Sequence, residues 1–152
     1  MYPRLWRFCL LLTGNQERGK DLAQATCLRA LEKHQQFQVG SHLDRWLFVM
    51  ARRIWLNDLR GEAVRQGHGV VDDIDLPDER PGSETNILVT QVLKEIAVLP
   101  ETQRITVILV YVEGYRYAEA AAMLEVPMGT IMSRLAAARK RISLQLGDQD
   151  SP

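Results

Sequence analysis

Cationic and aromatic side chains alternate between residues 45 and 60, and this combination can hold a polyanion. Arginine neutralises phosphate groups and an aromatic ring stacks on an unpaired base, so the pattern is typical of a surface for single-stranded nucleic acid. Tryptophan is more often structural than stacking, so Trp46 is predicted to pack in the core, while both roles stay open for Trp55. The predicted outer face comprises Arg45, Arg52, Arg53, Trp55, Asn57 and Arg60.

A second concentration of positive charge lies on the second helix of a predicted helix-turn-helix. Residues 117–124 form a short apolar pattern, Pro127 cannot continue that helix, and a longer helix is predicted from Met128. Ala121 lies where two helices cross closely and only a small side chain fits. No acidic residue follows Pro127 before Asp148, so the longer helix suits the major groove of a duplex; the alternative is a three-helix domain whose basic face is only solvated. Its basic residues are Arg134, Arg139, Lys140 and Arg141.

Three helices are predicted upstream of this motif. The first spans Tyr2 to Thr13 and ends at Gly14, the second runs from about Glu17 to His34, and the third runs from Leu43 to Arg60. A loop over residues 37–42 separates the last two. In the second helix the residues predicted to face inward are Ala23, Cys27, Ala30 and Leu31. In the third helix they are Trp46, Leu47, Met50, Ile54 and Leu59.

The chain between these helical regions has the composition of a linker. Residues 61–83 have little helical periodicity and contain repeated glycine and proline breakers. Charge is divided unevenly, because residues 1–60 hold ten Lys and Arg against five Asp and Glu, whereas residues 61–100 hold three against eight. We therefore predict an all-α fold of two small helical domains, residues 1–60 and 85–152, joined by a flexible acidic linker over residues 61–84. The second domain contains the helix-turn-helix.

Several classes of function find no support in the sequence. The longest apolar runs are too short to span a bilayer and the start lacks a signal-peptide pattern, so a cytoplasmic location is expected. The two cysteines, Cys9 and Cys27, are predicted to be packed, reduced thiols. The three histidines lack metal-ligand spacing, and no nucleophile motif or glycine-rich phosphate loop occurs. We therefore expect no enzyme activity, no cofactor and no metal site.

Two sets of residues, one on each side of the linker, carry a family pattern. The first set is Asp21-Leu-Ala-Gln-Ala-Thr-Cys-Leu-Arg-Ala30, Trp46-Leu-Phe-Val-Met-Ala-Arg-Arg53 and Asn57-Asp-Leu-Arg60. The second set is Leu99-Pro100, Arg104, Glu113-Gly114, Tyr117, Glu119, Ala121, Leu124, Pro127, Gly129-Thr130 and Ser133-Arg134-Leu135. Together they resemble the two conserved domains of bacterial RNA polymerase sigma factors of the extracytoplasmic-function (ECF) type, within the sigma-70 family. The resemblance covers nearly the whole chain.

This resemblance implies a factor that binds core RNA polymerase, directs it to promoter DNA and takes part in DNA melting and transcription initiation. The residues implied in docking on the polymerase are Asp21, Gln24, Leu28 and Arg29. An extruded base of the minus-ten element would be held in a pocket formed by Phe37, Gln38, Ser41 and His42. The other residues implied at that element are Trp55 and, on the backbone or adjacent bases, Arg52, Arg53, Asn57 and Arg60. Those implied at the minus-thirty-five element are Met128, Thr130, Met132, Ser133, Arg134, Arg139 and Lys140. An anti-sigma protein is a further expected partner.

The helix-turn-helix departs from the family pattern at several positions. Met132 and Ala137 stand where relatives often have Arg or Lys, which implies weaker or different reading of DNA. Glu125 stands in place of the frequent turn glycine, and a left-handed backbone there would cost roughly 1 kcal/mol. Two alternative functions stay open. One is a sigma-like decoy that sequesters an anti-sigma protein, and the other is a helix-turn-helix transcriptional repressor.

Overall fold

The computed structural model describes residues 1–66, 74–76 and 84–150. Within these ranges the chain is all-α, as predicted, and the only β pairing is an isolated bridge between Asn15 and Asp75. No helix in the described part combines the length and apolarity needed to cross a membrane. The α-helices are α1 Tyr2–Thr13, α2 Gln16–Glu32, α3 Leu43–Gln66, α4 Glu84–Ala97, α5 Glu101–Val107, α6 Tyr117–Leu124 and α7 Met128–Asp150.

The described elements form two compact units. Unit 1 comprises Met1–Asp75 and contains α1 to α3, whereas unit 2 comprises Leu76–Pro152 and contains α4 to α7. A 3₁₀ turn, His34–Gln36, follows α2, and one turn of π-helix, Ile108–Val112, continues α5. The presence of two helical bodies confirms the predicted fold class.

Unit 1 packs α1, α2 and α3 around an apolar core. The stacked rings of Phe8 and Phe48, with centroids 4.3 Å apart, join α1 to α3. α1 and α2 approach so closely that a β-carbon at Gly19 would lie 2.9 Å from the Leu10 Cα, so only glycine fits there. The turn between the two helices begins at Gly14, which has the left-handed backbone (φ 69°) of a C-terminal cap, as predicted.

The buried faces of α2 and α3 are rotated relative to the prediction. Leu22 and Thr26 of α2 are buried, whereas Leu31, predicted to face inward, is 71% exposed. Thr26 tolerates burial because its hydroxyl donates a hydrogen bond to the Leu22 carbonyl oxygen at 2.7 Å. The buried residues of α3 are Leu47, Phe48, Ala51 and Trp55. The other residues of the predicted α3 stripe are only half-buried, namely Trp46, Met50, Ile54 and Leu59.

α3 is also longer than predicted. It continues beyond Arg60 to Gln66, so the domain boundary predicted at residue 60 lies inside a helix. Gly61 does not interrupt the helix, and Glu62 in the added turns forms an ion pair with Arg18 of α2 at 3.4 Å. A mid-helix glycine costs only about 1 kcal/mol relative to alanine, which contacts between helices can offset.

One residue of the predicted linker pairs with the turn between α1 and α2. The Asp75 N–H donates to the Gly14 carbonyl oxygen at 2.8 Å, and the Gln16 N–H donates to the Asp75 carbonyl oxygen at 2.9 Å. Backbone groups left without partners at helix ends offer such hydrogen bonds, so this part of the linker is not a free tether. The flexibility predicted for residues 67–73 and 77–83 concerns segments outside the described residues.

Unit 2 packs α4, α5 and α6 against α7. Ile105 and Ile108 are buried against the core, as is Leu135 of α7. Arg104 is also buried, because its guanidinium donates hydrogen bonds to the Leu99 carbonyl oxygen at 2.9 and 3.3 Å. This arginine therefore holds the turn between α4 and α5 and is not part of the surface charge.

Candidate nucleic-acid interface

The outer face of α3 and the end of α2 line a groove. Trp46, Arg53 and Asn57 lie on one side of α3, because seven and eleven residues correspond to about two and three helical turns. The groove has a volume of about 290 Å³ and is lined by Arg29, Lys33, Gln36, Trp46, Val49, Met50, Arg53, Ile54 and Asn57. It thus combines three cations with one aromatic ring and two amide side chains.

An aromatic pair stands at this groove. The rings of Trp46 and Phe37 have centroids 5.2 Å apart and an interplanar angle of 45°. Both side chains are half-buried, so their faces are partly accessible. On the same side of α3, the Arg60 guanidinium donates a hydrogen bond to the Asn57 side-chain oxygen. The groove therefore offers a stacking surface beside polar groups that can contact a base edge.

The loop before α3 carries the other residues predicted at the minus-ten element. Gln38, Ser41 and His42 are exposed. The Ser41 hydroxyl donates to the Gln38 carbonyl oxygen at 2.6 Å, which closes the loop on itself. Gly40 between them has φ 93°, a left-handed conformation that favours glycine.

Of the nine residues predicted at the minus-ten element, Arg53 and Asn57 line the groove and the other seven do not. Trp55 is 4% exposed and has the Arg18 guanidinium 5.8 Å from its ring centroid, so the prediction that it stacks on a base is wrong. Arg52 is half-buried and lies about 100° around α3 from Arg53. Trp46 and Trp55 are nine residues apart, about two and a half turns, and so face opposite sides of the helix. The sequence pattern placed Trp46 in the core and left both roles open for Trp55. In the structure Trp55 is buried and Trp46 is half-buried.

The residues of α2 predicted to dock on the polymerase, Asp21, Gln24, Leu28 and Arg29, are all exposed, and Arg29 lies about 100° around the helix from Leu28. Asp21, Gln24 and Leu28 share one side of the helix, since they are spaced three and seven residues apart. Leu28 is 63% exposed, and Leu31, which the sequence analysis placed in the core, is 71% exposed beside it. The spacing of three residues between these two leucines was the signal in the sequence that they share one exposed side of α2. Arg29 points instead to the groove.

α7 has a buried face and an exposed face. Ile131, Leu135 and Ala138 are fully buried against unit 2. Of the residues predicted at the minus-thirty-five element, those that are half-buried are Thr130 and Arg134. Those that are exposed are Met128, Met132, Ser133, Arg139 and Lys140.

Arg139 has a partner that the sequence analysis missed. Its guanidinium donates a hydrogen bond to the Tyr111 hydroxyl at 2.5 Å. This hydrogen bond and, to a smaller extent, the Tyr117 hydroxyl raise the pKa of Arg139. Tyr111 lies on the π-helical turn and is 51% exposed. The two residues are 28 positions apart, so no local pattern could have connected them.

The turn between α6 and α7 fixes where the second helix begins. Glu125, which stands in place of the frequent turn glycine, has a left-handed backbone with φ 56° and ψ 46°. The Val126 N–H donates to the Ala121 carbonyl oxygen at 3.0 Å, and the Glu125 N–H donates to the Ala122 carbonyl oxygen at 3.3 Å. These two bonds form a Schellman motif, after which Pro127 leads directly into α7.

The remaining chemistry of the described residues is sparse. No cluster of His, Cys, Asp or Glu among them could hold a metal ion. Cys9 and Cys27 are free thiols. Burial, and to a smaller extent the nearby Cys27, raises the pKa of Cys9 to about 12.

Comparison with known proteins identifies relatives along the whole chain. The family model for sigma-70 region 2 matches residues 1–65, and that for sigma-70 region 4 matches residues 90–142. The ECF RNA polymerase sigma factor EcfG of Rhodopseudomonas palustris is 35% identical over 149 residues, covering 95% of this chain and 80% of that relative. SigL of Mycobacterium tuberculosis is 30% identical over 145 residues, covering 93% and 82% respectively.

A solved structure is also similar to this chain. The sigma factor RpoE of Bartonella quintana, determined in complex with the anti-sigma factor NepR, matches with a TM-score of 0.82 and 28% identity. The match covers 96% of this chain and 91% of that one. The chain therefore belongs to the ECF sigma factors of the sigma-70 family, the proteins that direct RNA polymerase to begin transcription.

Proposed function

We propose that the groove of unit 1 holds an unpaired nucleotide of the promoter minus-ten element. The observation that carries this proposal is the placement of Arg29, Lys33 and Arg53 around the half-buried ring of Trp46. Cations beside an accessible aromatic ring suit a nucleotide, because the cations neutralise the phosphate while the ring stacks on the base. A base inside a duplex cannot reach a half-buried ring, so binding here favours a base that has left the stack.

The groove also has polar groups that could distinguish one base from another. Gln36 and Asn57 line it with amide groups that both donate and accept hydrogen bonds. Phe37 extends the stacking surface from the loop side. The exposed loop residues Gln38 and His42 are proposed to contact the same strand outside the groove. Melting would then result from the affinity of these groups for a flipped base, at an unstacking cost of a few kcal/mol.

Unit 2 is proposed to bind the minus-thirty-five element as a duplex. The second helix of a helix-turn-helix places its first residues at base edges in the major groove. Lys140 and Arg139 are exposed later along α7, where they could contact phosphates on either side. Ser133 is exposed near the start of the helix and supplies a hydroxyl group.

The exposed face of α2 is proposed to dock on core RNA polymerase. Leu28 and Leu31 form an exposed apolar pair beside the polar residues Asp21 and Gln24. An apolar centre with a polar rim is typical of protein interfaces. Because the relative RpoE was solved with an anti-sigma factor, we propose that this chain too is held by an anti-sigma protein. The polymerase supplies the catalysis of RNA synthesis, and this chain acts with it in the cytoplasm.

Reconstituted transcription tests the proposal directly. The full chain is added to core RNA polymerase with a promoter selected by that complex from a randomised library, and unpaired thymines are mapped with permanganate. The Trp46→Ala variant should reduce opening at least about fivefold, since base stacking is worth about 1–3 kcal/mol per base. Arg65→Ala is the matched control, because Arg65 is an exposed cation of α3 outside the groove.

Three results would contradict this proposal. If the wild-type chain gives no promoter-specific initiation but relieves inhibition by an anti-sigma protein, the chain is a decoy. If it binds duplex DNA specifically without polymerase and blocks transcription, it is a repressor. If Trp46→Ala and Arg65→Ala lose opening equally, the groove is not the site of the unpaired nucleotide.

A further inference from the structure

The exposed face of α7 carries an apolar strip near its start. Met128 is 50% exposed and Met132 is 53% exposed. Residues four positions apart are neighbours on a helix surface, so Met128, Met132 and the exposed Ala136 form one continuous line, which we name the methionine strip. Methionine is most often buried in folded proteins, so two exposed methionines in line indicate a surface that meets another molecule.

The strip lies where a recognition helix contacts base edges. Its residues occupy the first turns of α7, directly after the turn at Glu125. Ile131 and Leu135 are fully buried on the neighbouring side of the helix, whereas about half of each methionine of the strip is exposed. No charged residue occurs from Pro127 to Ser133, and the exposed cations are concentrated at residues 139–141. The start of α7 is therefore uncharged where the helix is closest to the bases, while phosphate contacts fall later.

Base chemistry narrows what such a strip can recognise. In the major groove guanine is read best by Arg or Lys and adenine by Asn or Gln, whereas thymine alone presents an apolar group, its C5-methyl. The strip contains none of the four side chains that read purines. The thioether of methionine is flexible and polarisable, so it can pack closely on a methyl group.

We propose that Met132 is a specificity-determining residue that packs on the C5-methyl group of a thymine in the minus-thirty-five element. The inference rests on the proposed binding of this element by α7. Met128 and Ala136 extend the apolar surface along the same groove wall. Recognition at these base pairs then depends on thymine methyl groups, with little contribution from hydrogen bonds by charged side chains.

Replacing thymine with deoxyuridine tests this inference because it removes only the methyl group. Holoenzyme made from the full chain and core polymerase first selects its upstream element from a randomised library. Each thymine of the selected element is then replaced in turn, and the affinity is measured by fluorescence anisotropy. We expect a loss of about three- to fourfold at one or two thymines, the equivalent of about 0.8 kcal/mol for one buried methyl group.

Variants assign the loss to the side chain. Met132→Ala should bind the thymine element about three- to fourfold less tightly and should be insensitive to the deoxyuridine replacement. Met132→Leu keeps an apolar side chain of similar volume and should keep the sensitivity. Leu144→Ala is the matched control, because Leu144 is 59% exposed on the same helix but far from its start. It should behave as the wild type.

Each contrary outcome is decisive. Three results would each overturn the inference. The selected element contains no thymine, the affinity of the wild-type holoenzyme is unchanged by every replacement, or the Met132→Ala variant keeps the wild-type sensitivity to deoxyuridine. Lys140→Ala separates this failure from failure of the proposed function. If Lys140→Ala weakens binding to the upstream element while deoxyuridine has no effect, α7 binds the element and only the role of Met132 is refuted. If neither change matters, α7 does not bind it.

Discussion

Arg29→Ala should weaken the capture of unpaired promoter DNA without weakening the docking of the chain on polymerase. The sequence pattern placed Arg29 with Asp21, Gln24 and Leu28, but its side chain lines the groove with Lys33 and Arg53. The neighbouring residue Leu28 remains on the exposed docking face. One substitution therefore separates two surfaces that share α2.

The size of the effect follows from the salt dependence of phosphate binding. Each neutralised phosphate of a single strand contributes about −0.7 to the slope of log affinity against log salt concentration. If Arg29 neutralises one phosphate, its loss makes the slope shallower by about 0.7. Raising the salt fourfold, for example from about 50 to 200 mM, would then cost the wild type about 2.6 times more affinity than the variant. The difference between variants is informative even though the polymerase adds contacts of its own.

The assay uses holoenzyme and a promoter fork whose minus-ten strand is unpaired, with affinity measured over a series of potassium chloride concentrations. Polymerase affinity is measured in parallel with a labelled full chain. Asp21→Ala is the matched comparison, which should lose polymerase affinity and keep the salt slope. Arg29→Lys should restore most of the slope, since it keeps the charge. The reasoning fails if Arg29→Ala keeps the wild-type slope and loses polymerase affinity as Asp21→Ala does.

Two further predictions concern single residues. Glu125→Gly should raise the free energy of unfolding of unit 2 by up to about 1 kcal/mol, because glycine adopts φ 56° without β-carbon strain. Thermal unfolding followed by circular dichroism measures this gain. The control Glu125→Ala should show no such gain. Cys9 should be alkylated more slowly than Cys27 at pH 8, as mass spectrometry can measure, since its pKa is about 12. The unfolded thiol ionises above about pH 8.5 while the folded one stays protonated, so stability from Cys9 is fully present below pH 8.5 and is lost as the pH rises toward 12. A Cys9→Ala chain whose unfolding free energy falls equally over that range would contradict this.

Helix boundaries that depend on a single residue could be predicted from the local sequence. Gly14 adopts the left-handed backbone that its position implied, and α1 has the predicted bounds. These features depend on steric limits of the residue itself, and such limits are readable from the sequence. The end of α3 was not readable, because Gly61 is tolerated inside a helix that gains the contact between Glu62 and Arg18.

The orientation of the helices was harder to predict than their existence. Trp46 and Trp55 have the same residue type and both fit an amphipathic pattern, so only packing against α1 and α2 decides which one is buried. Thr26 tolerates burial because its hydroxyl forms a hydrogen bond within its own helix. The inward face of α2 includes this residue and excludes Leu31. The pairing of Arg139 with Tyr111 depends on tertiary structure alone.

The two-sided character of α2 has a consequence for control of the protein. Asp21 and Arg29 are eight residues apart on this helix, about 12 Å along its axis and about 80° around it. A molecule that covers this helix would obstruct both the proposed polymerase-docking face and the wall of the proposed nucleotide groove. A sequence change that shifts the helix, such as a side chain at Gly19, would disturb both proposed surfaces together.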